Sequence, residues 1–430
     1  MSAPCWLTLA GCPRNIRGPT RHPRCALDPR APPIDICLHL KLRRAVLTPA
    51  SALAAALVMA NTAAAHLHVG TGFGDADSPT RAILRLTLAA DGTLTASAPI
   101  PMTAGENPGW LCAQNSSATF VGFEDNPGLL QAYSIGADGA LEPIGGAVSS
   151  VGRHPCFLAL DTSGQWLFAA NYTEGSVCVC PILPDGSLGR ATDSKKHQGG
   201  ELIDAALHDR QEAAHCHAIV PHPSNAWVAV CDLGLSTVFI YGFDAARGIL
   251  AGAADDPRHL RCDANAGCRH ACWDAAGGLL FVNNELDCTV TVARFDSTTG
   301  ALTAVQTVVA LPEGVAPLRD HHRGGSDIAL HPNGRFLYAG MRSPDPGLVA
   351  TFAVGDQGTL TLLGHESTRG LVPRNFKLVC EGAWLVVGNQ ESKTVASFAV
   401  DAASGSLRFV HELSTAPYKP CNISPYSELA

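Results

Sequence analysis

Charge is scarce in this sequence. Only 16% of its 430 residues are Asp, Glu, Lys or Arg, and the net charge is −8. That balance argues against a nucleic-acid partner but leaves room for a local basic pocket. No C-x-x-C pair occurs among the 16 cysteines. Cys178 and Cys180 alternate within one strand-like run, and Cys268 and Cys272 sit four apart. Without framework spacing, the cysteines read as reduced, small apolar residues of an intracellular protein. There is no G-x-S-x-G elbow, no P-loop and no G-x-G-x-x-G entering a helix, so nucleophile-elbow and nucleotide chemistry lack local support. After residue 66 no segment sustains a 3.6-residue period, which excludes an α-solenoid. No segment there is apolar for long enough to cross a membrane.

What is present suits many short strands and tight turns: 42 Gly, 29 Pro and a hydrophobic fraction of 46%. The first 58 residues differ. They are rich in Arg and Pro, and their only acids are Asp28 and Asp35. Residues 41–65, KLRRAVLTPASALAAALVMANTAAA, have the order of a targeting segment: a basic stretch, a short apolar stretch, an A-x-A-like end. A rival reading starts translation at Met59. The expected division is a poorly ordered extension over 1–58 and one folded domain over 66–425. The expected location is the cytoplasm, or a plastid or mitochondrion if 1–58 is a true transit segment.

The folded part repeats. Gly-x-Leu recurs at Gly92/Leu94, Gly139/Leu141, Gly186/Leu188, Gly248/Leu250, Gly300/Leu302, Gly358/Leu360 and Gly405/Leu407. Each copy follows an alternating run such as TVTVARFDSTTG, which is a strand leading into a tight hairpin. Two further strand families share the period. One begins NPGWLCA, HPCFLAL, HCHAIVP; the strands after them read ATFVGFE, WLFAANY, WVAVCDL. Seven copies at this spacing predict an all-β, seven-bladed β-propeller. The series opens at His66 with a second strand and closes near Lys419–Pro425 with an innermost one. One blade is therefore split, and pairing the chain ends closes the ring.

Propeller geometry brings the starts of innermost strands and the ends of second strands to one face. Strand starts supply His154, His215, His217, Arg269, His270, Ser326, Asp327, Arg374 and Asn375. Strand ends supply Glu124, Asn171, Tyr172, Asp232, Glu285, Arg342, Asn389 and Gln390. This density of Arg, His and carboxylates predicts a site for a small anion. Arg269, Arg342 and Arg374 can grip carboxylate or phosphate by paired hydrogen bonds. Glu285 or Asp327 beside an Arg stays ionised and can act as a base; a His can carry a proton near neutrality. Structural roles compete: Asp232 as a turn cap, Asn171 and Tyr172 as ties between blades, His154 as a turn filler. Alternation puts His215 and His217 on one side of their strand, a weak metal-ligand signal, and turns Cys216 away.

At these residues the chain resembles the seven-bladed propeller lactonases. That family includes the cycloisomerase-type 6-phosphogluconolactonases and the carboxy-cis,cis-muconate cyclases. The resemblance rests on ANYTEGSVCVCPILPDGSLG (170–189), RQEAAHCH (210–217), DLGLSTVFIY (232–241), CRH (268–270), NNELDCTVTV (283–292), SDIALHPNGRFLYAGMRS (326–343) and PRNF (373–376). It implies His217, Arg269 and Glu285 as catalytic groups. Arg342, Arg374, His215, His270, Asp327 and Asn171 are then expected to bind substrate. The chain departs from the family at Cys268 for Pro, Met341 for Asn, Asp327 for Glu and Phe157 for His. The implied activity is hydrolysis of 6-phospho-D-glucono-1,5-lactone by a monomer without cofactor or metal, acting on a small anionic lactone. Muconate lactonisation and a non-catalytic interaction platform stay open as alternatives. An insert over about 190–214, just before the His pair, is placed to lie near the site.

Overall fold

The structure, a computed structural model, describes residues 63–72, 74, 81–200, 208–253, 256, 258–317 and 324–428. The extension read over 1–58 and the alternative start at Met59 lie outside the described residues.

Seven antiparallel sheets of four or five strands form the blades. The innermost strands are Pro108–Asn115, Pro155–Leu160, Cys216–Pro221, Cys268–Trp273, Gly325–Leu330, Pro373–Val379 and Pro420–Glu428. Each neighbours the innermost strands of the blades before and after it, so the ring closes. The split blade is completed by pairing Ala63–Thr71 with Pro420–Glu428, in a register that sets Leu67 opposite Pro425 and Val69 opposite Ile423. The strand begins three residues before His66, because Ala65 is buried and continues the pairing to Glu428.

Both faces of a blade are covered by its neighbours, so alternation divides core residues between two interfaces. In the strand Trp166–Asn171, Phe168 and Ala170 pack with Ile219 and Val228 of the following blade. Leu167 and Ala169 pack with Trp110 and Phe120 of the preceding one, and Cys178 and Cys180 join them as apolar residues. Each such Leu or Phe stabilises the fold by roughly 1.5–3 kcal/mol. The described cysteines are free thiols.

The repeated Gly-x-Leu now has a physical cause. All seven turn glycines have positive φ, between 64° and 89°. All seven leucines are buried. The glycine also makes room. A Cβ on Gly300 would lie 2.3 Å from the Trp227 ring of the preceding blade, and one on Gly405 would lie 2.5 Å from Phe336. The hairpin of one blade is the seat for an aromatic of the blade before it.

Candidate active site

The innermost strands are irregular where they start. Each pairing with its second strand slips, which leaves Gly109, Cys156, His217, Arg269, Arg374 and Cys421 without a ladder partner, and Ser326–Asp327 likewise in the remaining blade. A bulge breaks alternation and re-aims the side chain it carries. The propeller thus presents one re-aimed position per blade, and four of the seven hold groups expected at the site: His217, Arg269, Asp327 and Arg374.

Three guanidiniums meet at one carboxylate. Arg269 Nε lies 2.9 Å and Arg342 Nη2 2.8 Å from the same Glu285 oxygen. Arg210 pairs with the other oxygen. Glu285, Arg269 and Arg342 are each about 1% exposed. Burial alone would raise the Glu285 carboxyl, but Arg210, Arg342, Arg269 and His217 override it and hold it well below the usual carboxylate range. Burial, with repulsion from Arg342, lowers Arg269 to about 9, so it remains charged at neutral pH. Arg342 donates further to the Gly325 carbonyl at 3.0 Å, and Arg269 to the Ser326 carbonyl at 2.7 Å. The charge of Arg374 is felt by Arg269, Arg342 and Glu124.

His217 is buried beside this cluster. Burial, Arg269 and His270 push it well below the ordinary His range, so it is a neutral imidazole. Its Nδ1 lies 3.8 Å from Cys156 Sγ. Glu124 follows the second strand Ala118–Phe123 and lies over Gly109, where a Cβ would come 2.1 Å from its Oε1. Burial raises its carboxyl to about 7 against the pull of Arg374 and Arg269. Two carboxyls of one site are thus driven apart, one firmly ionised and one titrating near neutrality.

Other expected residues have different surroundings. Asp327 accepts from His270 Nδ1 at 2.8 Å, from Asn375 Nδ2 at 2.5 Å and from the Ile328 amide at 2.9 Å. Burial opposes its ionisation, but Lys377 and His270 hold it at about 2. Both oxygens are engaged, toward His270 and toward the neighbouring strand at Asn375. Burial and Arg269 lower His270 to about 4, and its ring packs edge-on with Trp110, Phe157 and His217. Asn171 is engaged on one side only, its buried Oδ1 being without a hydrogen-bond partner. Its amide donates to the Ser150 carbonyl at 2.9 Å and to Ser176 Oγ at 3.2 Å, a blade-to-blade tie that Asn389 repeats toward Thr368 and Thr394. Asp232 caps its turn, accepting from the Leu235 amide.

His215 stacks on Tyr172 with centroids 4.4 Å apart, bonds the Tyr172 carbonyl through Nδ1 and faces Glu212 through Nε2. Past the bulge, His217 meets the same Tyr172 ring edge-on, centroids 5.5 Å apart. The insert does reach the site: its short helix His208–Gln211 carries Arg210, which also donates to the Tyr172 hydroxyl at 3.1 Å. Arg210 carries no repeat signal; it was visible only inside the stretch RQEAAHCH.

Fold and site together define a closed seven-bladed propeller with a buried arginine–glutamate–histidine cluster at the starts of its innermost strands. The chain belongs to the lactonase, 7-bladed beta-propeller family, whose pattern matches residues 67–422. An uncharacterised protein of Lactococcus lactis subsp. cremoris is 30% identical over 329 residues, 76% of this chain and 90% of that one. A 6-phosphogluconolactonase of Bacillus subtilis is 27% identical over 73% of this chain and 86% of its own. Among solved structures, the periplasmic gluconolactonase of Pseudomonas aeruginosa superposes with a TM-score of 0.74 at 26% identity, covering 85% of this chain and 99% of that one.

Proposed function

We propose that this chain hydrolyses 6-phospho-D-glucono-1,5-lactone to 6-phosphogluconate, the step of the pentose phosphate pathway that its named relatives suggest. The observation that carries the reading is the convergence of Arg210, Arg269 and Arg342 on the single carboxylate of Glu285. The cluster holds two positive charges more than Glu285 balances. In a site this buried, a bound anion of two charges is its natural complement.

The roles follow from charge and protonation. Arg342 and Arg374 hold the phosphate, with Arg210 closing from the insert. Glu285 keeps the guanidiniums in place; with three partners it is too weakly basic to be the base. Neutral His217 accepts a proton from water as the water adds to the lactone carbonyl. Arg269 faces the oxyanion that forms, where fixed positive charge stabilises the transition state most. When the ring C–O bond breaks, Glu124 in its protonated form donates to the departing alkoxide, and the two protons balance through water. Water, a base and fixed charge suffice, so the reaction requires no cofactor. The reading places a monomeric enzyme in the cytoplasm; among the described residues no helix is long and apolar enough to cross a membrane.

A second reading, hydrolysis of unphosphorylated gluconolactone, is favoured by the likeness to the Pseudomonas aeruginosa protein. Rates on 6-phosphogluconolactone, gluconolactone and carboxy-cis,cis-muconate decide between them. The proposal expects the highest kcat/KM on the phosphorylated lactone. A preference for either of the others would replace it, and binding of a stable protein partner with no turnover of any would favour a platform.

A further inference from the structure

Behind the innermost strand that carries His217, three buried side chains from three segments bring their ligand atoms together. They are His197, Cys216 and Asp232, all within 4.8 Å of one another and all fully buried. His197 Nδ1 lies 2.7 Å from Asp232 Oδ2, Cys216 Sγ lies 3.3 Å from His197 Nδ1, and Cys216 Sγ lies 3.6 Å from Asp232 Oδ2. The proposed mechanism uses none of these groups.

We propose that His197, Cys216 and Asp232 form a structural zinc site that ties down both ends of the segment bearing Arg210. Geometry is the first support. The three separations place the atoms on a circle of radius about 1.9 Å. An ion about 0.9 Å off that plane would be roughly 2.1 Å from each atom, close to the ranges for zinc with nitrogen and oxygen; opening the His197–Asp232 hydrogen bond to the roughly 3.3 Å of two tetrahedral ligands and a small outward shift of Sγ would complete the fit. Three ligands of this kind leave the fourth tetrahedral position to a water.

The surroundings orient the ligands as a metal site requires. Tyr241 hydroxyl lies 2.9 Å from His197 Nε2. With the Nε2 proton donated there, the Nδ1 lone pair is left for an ion. Asp232 Oδ1 accepts from the amides of His215 and Leu235 at 2.9 and 3.1 Å, which leaves Oδ2 for the ion. The His197 ring is fixed by stacking on Phe239, centroids 3.8 Å apart. Charge also closes: zinc displaces the Cys216 proton, and one thiolate plus one carboxylate neutralise the dication in a buried site.

The placement has a consequence. His197 lies near the start of the insert and Cys216 just after its end, while Arg210 between them reaches Glu285. A zinc ion here would clamp the segment where it leaves and re-enters the fold.

The test is metal content of the full chain, purified with any affinity tag removed, after zinc-supplemented expression, chelator dialysis and gel filtration. About one zinc per chain is expected, falling at least tenfold in Cys216→Ala and in the size-matched Cys216→Ser, and retained in Cys231→Ala. Cobalt loading should give a thiolate-to-cobalt charge-transfer band that both Cys216 variants lack. Wild-type chain free of zinc after refolding with the ion, or zinc and cobalt signals equal in wild type and the folded Cys216 variants, would overturn the site.

Discussion

Replacing Glu124 with Gln is expected to make the protein more stable and less active at once. In the fold this carboxyl sits at about 7, against 4.5 for the unperturbed group, because burial outweighs the attraction of Arg374 and Arg269. Between those values the native state binds a proton that the unfolded state has released. Stability therefore falls as pH rises through that window, is unpenalised below about 4.5 and carries the full cost above about 7. A raise of this size corresponds to about 3 kcal/mol. Gln keeps the shape over Gly109 and removes the charge. Urea unfolding of both proteins at pH 4.5 and pH 8, in reductant to protect the thiols, reads the difference. The variant should match wild type at the lower pH and exceed it by roughly 2–3 kcal/mol at the higher. Its lactone hydrolysis at pH 7 should fall by about 10²–10⁴, the usual worth of a general acid. Equal stability of the two proteins at pH 8, or a gain that does not change with pH, would refute the reasoning.

Glu285→Gln leaves three buried guanidiniums without their carboxylate and should cost ~3–5 kcal/mol by urea unfolding at pH 7. Since Glu285 is held well below its ordinary range, that deficit should shrink as pH falls below about 4.5, where the wild type begins to lose the same stabilisation. Arg210→Ala, on the rim of the cluster, should raise KM roughly tenfold while the thermal midpoint stays within a few degrees of wild type. Gly300→Ala puts a Cβ against the Trp227 ring at positive φ and should destabilise by about 1–3 kcal/mol, measured by thermal unfolding, with kcat unchanged.

How much of this was legible in the sequence depended on how local the cause was. Gly300 and Leu302 announce a hairpin by themselves, because positive φ and a buried leucine act within three residues. Ring closure was legible from phase alone, since His66 begins a second strand and Lys419–Pro425 ends on an innermost one. Glu285, Arg269 and Arg342 were found because propeller topology carries strand starts and ends to one face. The bulges were not legible. Alternation put His215 and His217 on one side of their strand, but it could not show the slip that leaves His217 without a ladder partner. Asp327 and Asn171 have the residue types of a binding site, and only the structure reveals that both Asp327 oxygens and the Asn171 amide nitrogen are already engaged. Arg210 lies in an insert without a repeat, so no period placed it. His197 and Asp232 flank Cys216 from segments whose pairing only the packed blades reveal.

The central claim is that the arginine cluster around Glu285 binds and turns over a phosphorylated lactone. The most direct test is hydrolysis of 6-phosphogluconolactone, corrected for spontaneous ring opening, by wild type and Arg342→Ala side by side. Wild type should turn the lactone over efficiently, and the variant should lose at least ~10²-fold in kcat/KM. Equal rates for the two would contradict the site, and absence of hydrolysis by folded wild type would contradict the function.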